Sequence, residues 1–227
     1  MTTNLDGAVV AVVGANGGLG APIARLLAER GARLVLAARR TERLAALDIE
    51  GASIVALDVR DVGAGDALVA AAHDTFGRLD GVVNAAGVVA FGLLTDTDDV
   101  VLEELFLTNV LGPLWLMKRV VPALAATRGF FVNISAVVAD MPMPGMVAYS
   151  ASKAALTGAD RALVRELRRV SVRLCDARPP HTETGLANRP LSGVSPALPH
   201  GLSPERVAAR IVAAIEADET DVAADQF

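Results

Sequence analysis

Apolar positions along this chain follow two alternating rhythms. Short runs dense in valine, isoleucine and leucine stand at 8–13, 33–38, 53–57, 80–84, 129–134 and 171–177, with a weaker one at 220–224. Between them, at about 62–76, 98–126, 148–169 and 203–217, apolar residues recur every three to four positions. Continuous short runs suit strands buried on both faces, and the longer periodic stretches suit helices that cover them. The first helix is the most sharply bounded. It begins after Gly18, carries Pro22 in its first turn, turns Ile23, Leu26 and Leu27 inward, and stops at Gly31. The stretch 98–126 is expected to break near Gly112-Pro113, where a glycine and a proline adjoin.

Strands that alternate with helices predict an α/β fold, a Rossmann-like doubly wound parallel sheet joined by right-handed crossovers. A length of 227 residues with 52% hydrophobic side chains is enough for one domain over 1–227 with a large core. In such a sheet a ligand sits outside the carboxyl ends of the strands, where the strand order reverses.

Charge narrows the partners. A formal charge of -5, with no basic stripe beyond Arg39-Arg40 and Arg168-Arg169, argues against nucleic acid. The single cysteine, Cys175, lies in an apolar stretch, has no internal disulfide partner and suits a reducing compartment. His73, His181 and His200 are far apart and without partner cysteines, so no metal site is expected. The N-terminus lacks a basic n-region and no run of about 18 apolar residues occurs, so neither a signal peptide nor a membrane span is expected, which gives a cytoplasmic reading.

The candidate chemistry falls at strand carboxyl ends. In the stretch from Val13 to Gly20, glycines at 14, 18 and 20 link the first strand to the first helix and leave no Cβ where backbone must approach a ligand. The helix end beyond them attracts an anion, and a dinucleotide pyrophosphate is the natural guest. A nicotinamide-binding second strand commonly ends in an acid that bonds the ribose hydroxyls; here the place holds Ala38, Arg39 and Arg40. Guanidinium groups hold a 2'-phosphate that a carboxylate would repel, which favours NADP over NAD. Asp58, after the third strand, is placed either to accept from an adenine amino group or to cap the helix near Val62. Asn84-Ala85-Ala86-Gly87 closes the fourth strand with small residues against which a ring or ribose can lie.

Tyr149 and Lys153 open a predicted helix four residues apart, which places phenol and ammonium about 40° apart on one face. Bringing a phenol from about 10 to near 7 requires roughly 4 kcal/mol. An ammonium about 4–6 Å away, at an effective dielectric of 20, supplies about 3–4 kcal/mol. Such a tyrosine, the only one in the chain, can exchange a proton with an alcohol oxygen near neutral pH.

With these residues in order, the chain resembles the short-chain dehydrogenase/reductases in their shorter single-domain form, over nearly its whole length. Gly14-Ala15-Asn16-Gly17-Gly18-Leu19-Gly20 is similar to the family's cofactor loop, Asn84 to Gly87 to its fourth-strand motif, Asn109 to its helix asparagine, and Tyr149 with Lys153 to its YxxxK pair. The resemblance implies that Tyr149 is the general acid/base, that Lys153 lowers its pKa and holds the nicotinamide ribose, and that Asn109 holds a water for proton relay. It also implies cofactor contacts from Asn16, Gly17, Leu19, Arg39, Val59, Ala85, Ala86, Pro179, Thr182 and Thr184. Homodimer or homotetramer assembly through the helices at 98–126 and 148–169 is a further implication.

Three positions depart from the family pattern. The serine usually found thirteen residues before the tyrosine is Ala136; its neighbour Ser135 replaces it only if the backbone turns there, since strand neighbours face opposite ways. Val13 stands where a threonine is common, and Pro180 where a glycine follows Pro179. The proline-rich and glycine-rich stretch at about 181–203 reads as a substrate lid, and Phe91, Met141, Met143 and Met146 as walls of an apolar pocket or as plain loop packing. The leading expectation is an NADP-dependent oxidoreductase acting on a carbonyl or secondary alcohol of an apolar small molecule. The alternative is a cofactor-binding protein whose redox activity is lost or diverted.

Overall fold

The computed structural model describes residues 2–227. Seven strands form one sheet: β1 (Val9–Val13), β2 (Arg33–Ala38), β3 (Ser53–Ala56), β4 (Gly81–Asn84), β5 (Phe130–Ile134), β6 (Arg173–Ala177) and β7 (Asp221–Val222). Their order is β3-β2-β1-β4-β5-β6-β7, and every pairing is parallel. The chain therefore winds outward from β1, returns to place β4 on its other side, and winds outward again. The boundary between β1 and β4 is the switch point.

Both faces are covered. Against one pack α1 (Gly20–Glu29) and α7 (Pro204–Glu216), with Ile23, Leu27, Val207, Ile211 and Val212 meeting Val10, Val12, Leu34 and Leu36. Against the other pack α3 (Ala64–Phe76), α5 (Gly112–Thr127) and α6 (Val147–Leu167), with Leu68, Leu116, Val120 and Leu124 meeting Val9, Ala11, Val35 and Phe131. Odd and even strand residues go to opposite faces, yet both sets are apolar, hence the unbroken hydrophobic runs in the sequence. Leu26, expected on the inward stripe of α1, is half-buried at its margin. Cys175 is buried, and burial pushes its thiol up to about 12, as suits an inert core residue.

Two elements differ from the sequence pattern. A four-residue helix, α2 (Glu42–Ala45), follows the arginine pair. The expected break near Gly112-Pro113 is instead one turn of π-helix at Leu107–Leu111, which joins α4 (Asp99–Phe106) to α5 without interruption. A wider turn before the proline leaves room for a ring that lacks an N–H. The resulting 29-residue helix, Asp99–Thr127, is long and apolar enough to cross a membrane by length and composition, but its apolar residues Leu116, Met117, Val120 and Leu124 are packed on the sheet.

One polar feature crosses the sheet near its carboxyl end. Asn84 pairs with Asn133, Asn133 with Asp176, and Asp176 with Asp221, so four polar side chains stand in one row on one face. That face is covered by α6.

Candidate active site

A cavity of about 330 Å³ opens at the carboxyl ends of the strands over the switch point. Its floor is the glycine turn. Gly14 has φ +77, its N–H donates to the Ala37 carbonyl at 2.8 Å, and a Cβ on it would lie 2.9 Å from the backbone of Ala85 and Ala86. A Cβ on Gly20 would overlap the Gly14 carbonyl oxygen, so helix and turn pack backbone to backbone. Asn16, Gly17, Gly18 and Leu19 line the cavity beside Gly14, while Gly20 lies behind it. This is a cradle that side chains would fill, and it fits the pyrophosphate of a dinucleotide at the start of α1.

At the end of β2, Arg39 lines the cavity and Arg40 does not; the Arg40 carbonyl accepts from the Asn16 amide at 3.5 Å. Asp58 and Val59 line the same end. Asp58 does not cap a helix, because α3 begins at Ala64 after Gly63. Its carboxylate accepts from the Arg60 backbone at 3.0 Å and from the Arg60 guanidinium at 2.7 Å. That guanidinium holds it below the usual carboxylate range. Arg60 also meets Glu104 at 2.5 Å and lines the cavity, a second cation that the sequence reading missed. An Asp followed two positions later by Arg at a strand end was the available signal.

After β4, Ala85, Ala86 and Gly87 form the cavity wall. Asn84 does not reach it. The Asn84 amide donates to Asn133 at 3.0 Å and accepts from the Ala86 N–H at 3.3 Å, so it shapes the turn from within the core rather than touching a ligand. Asn109 is likewise fully buried and off the cavity lining. It accepts from the Val88 N–H at 2.9 Å and donates to the Val88 carbonyl at 2.9 Å and to Ser152 at 3.1 Å. With both amide hydrogens engaged, the side chain ties α6 to the loop after β4.

Tyr149 and Lys153 stand in the first turns of α6, each less than one-tenth exposed, and both line the cavity. Lys153 Nζ donates to the Ile134 carbonyl at 2.9 Å. Burial pushes the ammonium down to about 8, against Asp176 and Asp160, which pull it up. Burial also pushes the Tyr149 phenol up from its ordinary value. The expected lowering of the phenol toward neutrality is therefore not a property of this enclosure, because desolvation opposes it.

Ala136 is extended, borders the cavity and offers no hydroxyl. Its neighbour Ser135 also lines the cavity, but its hydroxyl is engaged: it donates to Asp176 and accepts from Thr157 at 3.1 Å.

The remaining wall is the segment after β6. Pro179, Pro180, Thr182 and Thr184 line the cavity, and the Pro179 carbonyl accepts from the Val137 N–H at 3.0 Å. Residues 181–203 carry no helix or strand; they are held by a parallel bridge between Thr182 and Leu202 and by Leu191 and Phe91 N–H bonds of 2.8 and 2.9 Å to the Val89 and Ser192 carbonyls. Phe91, Met143 and Met146 line the cavity with Val89, Val138 and Leu186, whereas Met141 is 68% exposed and lies outside. His181 also lines it, 3.4 Å from Glu183, a polar wall residue not singled out in the sequence as a site residue.

The short chain dehydrogenase profile matches residues 8–192. An uncharacterised oxidoreductase of Staphylococcus haemolyticus is 30% identical over 218 residues, covering 94% of this chain and 93% of its own. Dehydrogenase/reductase SDR family member 7B of Bos taurus is 30% identical over 98% of this chain and 74% of its own. Among solved structures, a short chain dehydrogenase from Burkholderia cenocepacia in complex with NADP superposes with a TM-score of 0.86 at 25% identity, covering 98% of this chain and 90% of that one. A short chain dehydrogenase/reductase from Burkholderia phymatum in complex with NAD gives 0.89 at 25% identity, over 97% and 90%. Matched over residues 8–192 and superposed over 98% of its length, the chain belongs to the short chain dehydrogenase family of oxidoreductases.

Proposed function

We propose that this protein is an NADP-dependent reductase of a carbonyl group on an apolar small molecule, working reversibly on the matching secondary alcohol. The observation that carries the reading is the joint lining of one cavity by the glycine turn, Arg39 and the Tyr149–Lys153 pair. Solved relatives hold NADP in one case and NAD in another, so the choice rests on this chain's own charges. Arg39 and Arg60 face the end of the cavity where the adenosine ribose would lie.

A bound reduced nicotinamide would supply the hydride. Gly14 to Leu19 would seat its phosphates, Lys153 its ribose, and Pro179 with Thr184 its carboxamide. Tyr149 delivers the proton to the substrate oxygen. A phenol kept neutral by burial is the proton-donor form, which suits the reducing direction. Lys153 favours the phenolate left behind. Substrate enters beneath residues 181–203, which act as the lid, against Phe91, Met143 and Met146. Ala136 gives no second hydroxyl, which leaves Tyr149 as the donor to the developing oxyanion.

The alternative, a nucleotide-binding protein with lost or diverted redox chemistry, is favoured by Ala136 and Pro180, which both line the cavity. The working form in this reading is a cytoplasmic homodimer or homotetramer. The test is a carbonyl panel followed by NADPH absorbance, beside fluorescence titration with NADPH. Turnover of apolar ketones or aldehydes supports the reductase; NADPH binding with no turnover across the panel supports the alternative.

A further inference from the structure

Beneath the Tyr149–Lys153 pair, α6 turns a second polar set into the core. Lys153, Thr157 and Asp160 follow at i, i+4 and i+7, all buried, on the face that meets the polar row of the sheet. Asp176 of that row is fully engaged. It accepts from Ser135 and, at 2.7 Å, from Arg178, whose guanidinium also meets Asp221 at 2.6 Å and Asp140 at 2.5 Å. Asp160 is different. It is 0% exposed, accepts at 2.8 Å from the Asn133 amide on Oδ1, and its Oδ2 has no hydrogen-bond partner among the described residues.

A buried carboxyl with one partner is costly, and a leucine or an asparagine would fit the core more comfortably. The charged groups that face it are few. Lys153 lies above it on the same helix and Asp176 opposite on β6; β4 and β5 present the neutral Asn84, Asn133 and Ser135. Arg178, next out along β6, is taken up by its three carboxylates.

We propose that Asp160 is a positioning residue for Lys153, a buried counter-charge that, together with Asp176, keeps the ammonium in place beneath Tyr149. It touches neither substrate nor cofactor, and the inference rests on the reading of Tyr149 and Lys153 as the acid/base pair. Burial pushes Asp160 up to about 8, with the nearby Asp176 adding to the rise, and pushes Lys153 down to the same region. As pH rises through that region the pair gives up one proton, and mutual attraction favours the ammonium–carboxylate form over two neutral groups. Asp160 thus extends the range over which Lys153 stays charged.

The chain contains two lysines, Lys153 and the exposed Lys118, so NMR of protein labelled with ¹³Cε-lysine reads Lys153 directly and carries its own reference. Seven helical residues rise about 10 Å, and an opposite charge at that distance with an effective dielectric of 20 changes proton affinity about tenfold. Asp160→Asn, isosteric and still able to accept from Asn133, should lower the Lys153 titration midpoint by about one pH unit. Asp160→Thr, a second neutral variant, should do the same, and Asp160→Glu should restore the parent midpoint. A midpoint unchanged in both neutral variants overturns the inference. The titration needs neither cofactor nor substrate, so that failure leaves the reductase reading intact, whereas a parent that never oxidises NADPH overturns the reductase reading and leaves the Lys153–Asp160 coupling to be judged by the titration.

Discussion

In the proposed reading, Arg39 sets the cofactor preference through one charge-assisted contact. Such a contact contributes about 1.5–3 kcal/mol, so NADPH should bind roughly ten- to a hundredfold more tightly than NADH. Fluorescence titration checks this, and Arg39→Asp should reverse the order. Ala136 acts in the opposite sense, by omission. Removing one donor from a developing oxyanion costs about 10²–10³ in rate, so ketone reduction should be slow, and Ala136→Ser should raise kcat by at least tenfold. Ser135→Ala should leave kcat within a few-fold of the parent. It should instead lower stability by about 1–3 kcal/mol in urea unfolding, since Thr157 loses its acceptor and Asp176 its hydroxyl donor.

At the scale of elements, the glycine turn and the segment 181–203 meet at one point. A Cβ on Gly18 would lie 2.5 Å from Thr184, so Gly18→Ala should displace that segment and, with it, the proposed carboxamide contact. Rising KM values for NADPH and for substrate in parallel would register it. The same elements show what the residue pattern can and cannot tell. The strands were legible because buried parallel strands leave continuous apolar runs, and α1 because Pro22 and Gly31 bound it. The π turn at Leu107–Leu111 was not, since Gly112-Pro113 marks a break and a widened turn alike. The partners of Asn84 and Asn109 were not legible either, because the fold brings Asn133, Val88 and Ser152 to them from far away in sequence. Motif spacing marks which residues gather at the strand ends; it does not tell which of them face inward. The engagement of the Ser135 hydroxyl with Asp176 and Thr157 was not legible, since both partners are far away in sequence. Nor was the burial that raises Tyr149, because residues distant in sequence make it: Val89, Phe91, Leu105 and Val138 share its apolar cluster, with Leu186 packed against it.

For the molecule as a whole, Asp160 gives stability a definite pH dependence. Its folded-state pKa, about 8, lies above the ordinary value of 3.8, so the stability it contributes is full below about pH 4 and is lost as pH rises through 8. Asp160→Asn should therefore raise Tm at pH 8 and change it little at pH 4, as thermal unfolding at the two pH values would show. Assembly is the other property at this scale. Val100, Phe106, Leu111 and Val147 are exposed apolar residues on α4, the π turn and α6, and a homodimer or homotetramer would cover them. Light scattering at micromolar concentration should give a multiple of the 23.4 kDa chain mass.

The central claim is that Tyr149 transfers the proton while the rest of the cavity holds NADPH. Its most direct test is Tyr149→Phe, assayed for NADPH oxidation with the best carbonyl substrate and, in parallel, for NADPH binding by fluorescence. The account predicts that hydride transfer disappears while the dissociation constant stays within about threefold of the parent value, a change of under 1 kcal/mol. Undiminished NADPH oxidation by Tyr149→Phe would contradict it.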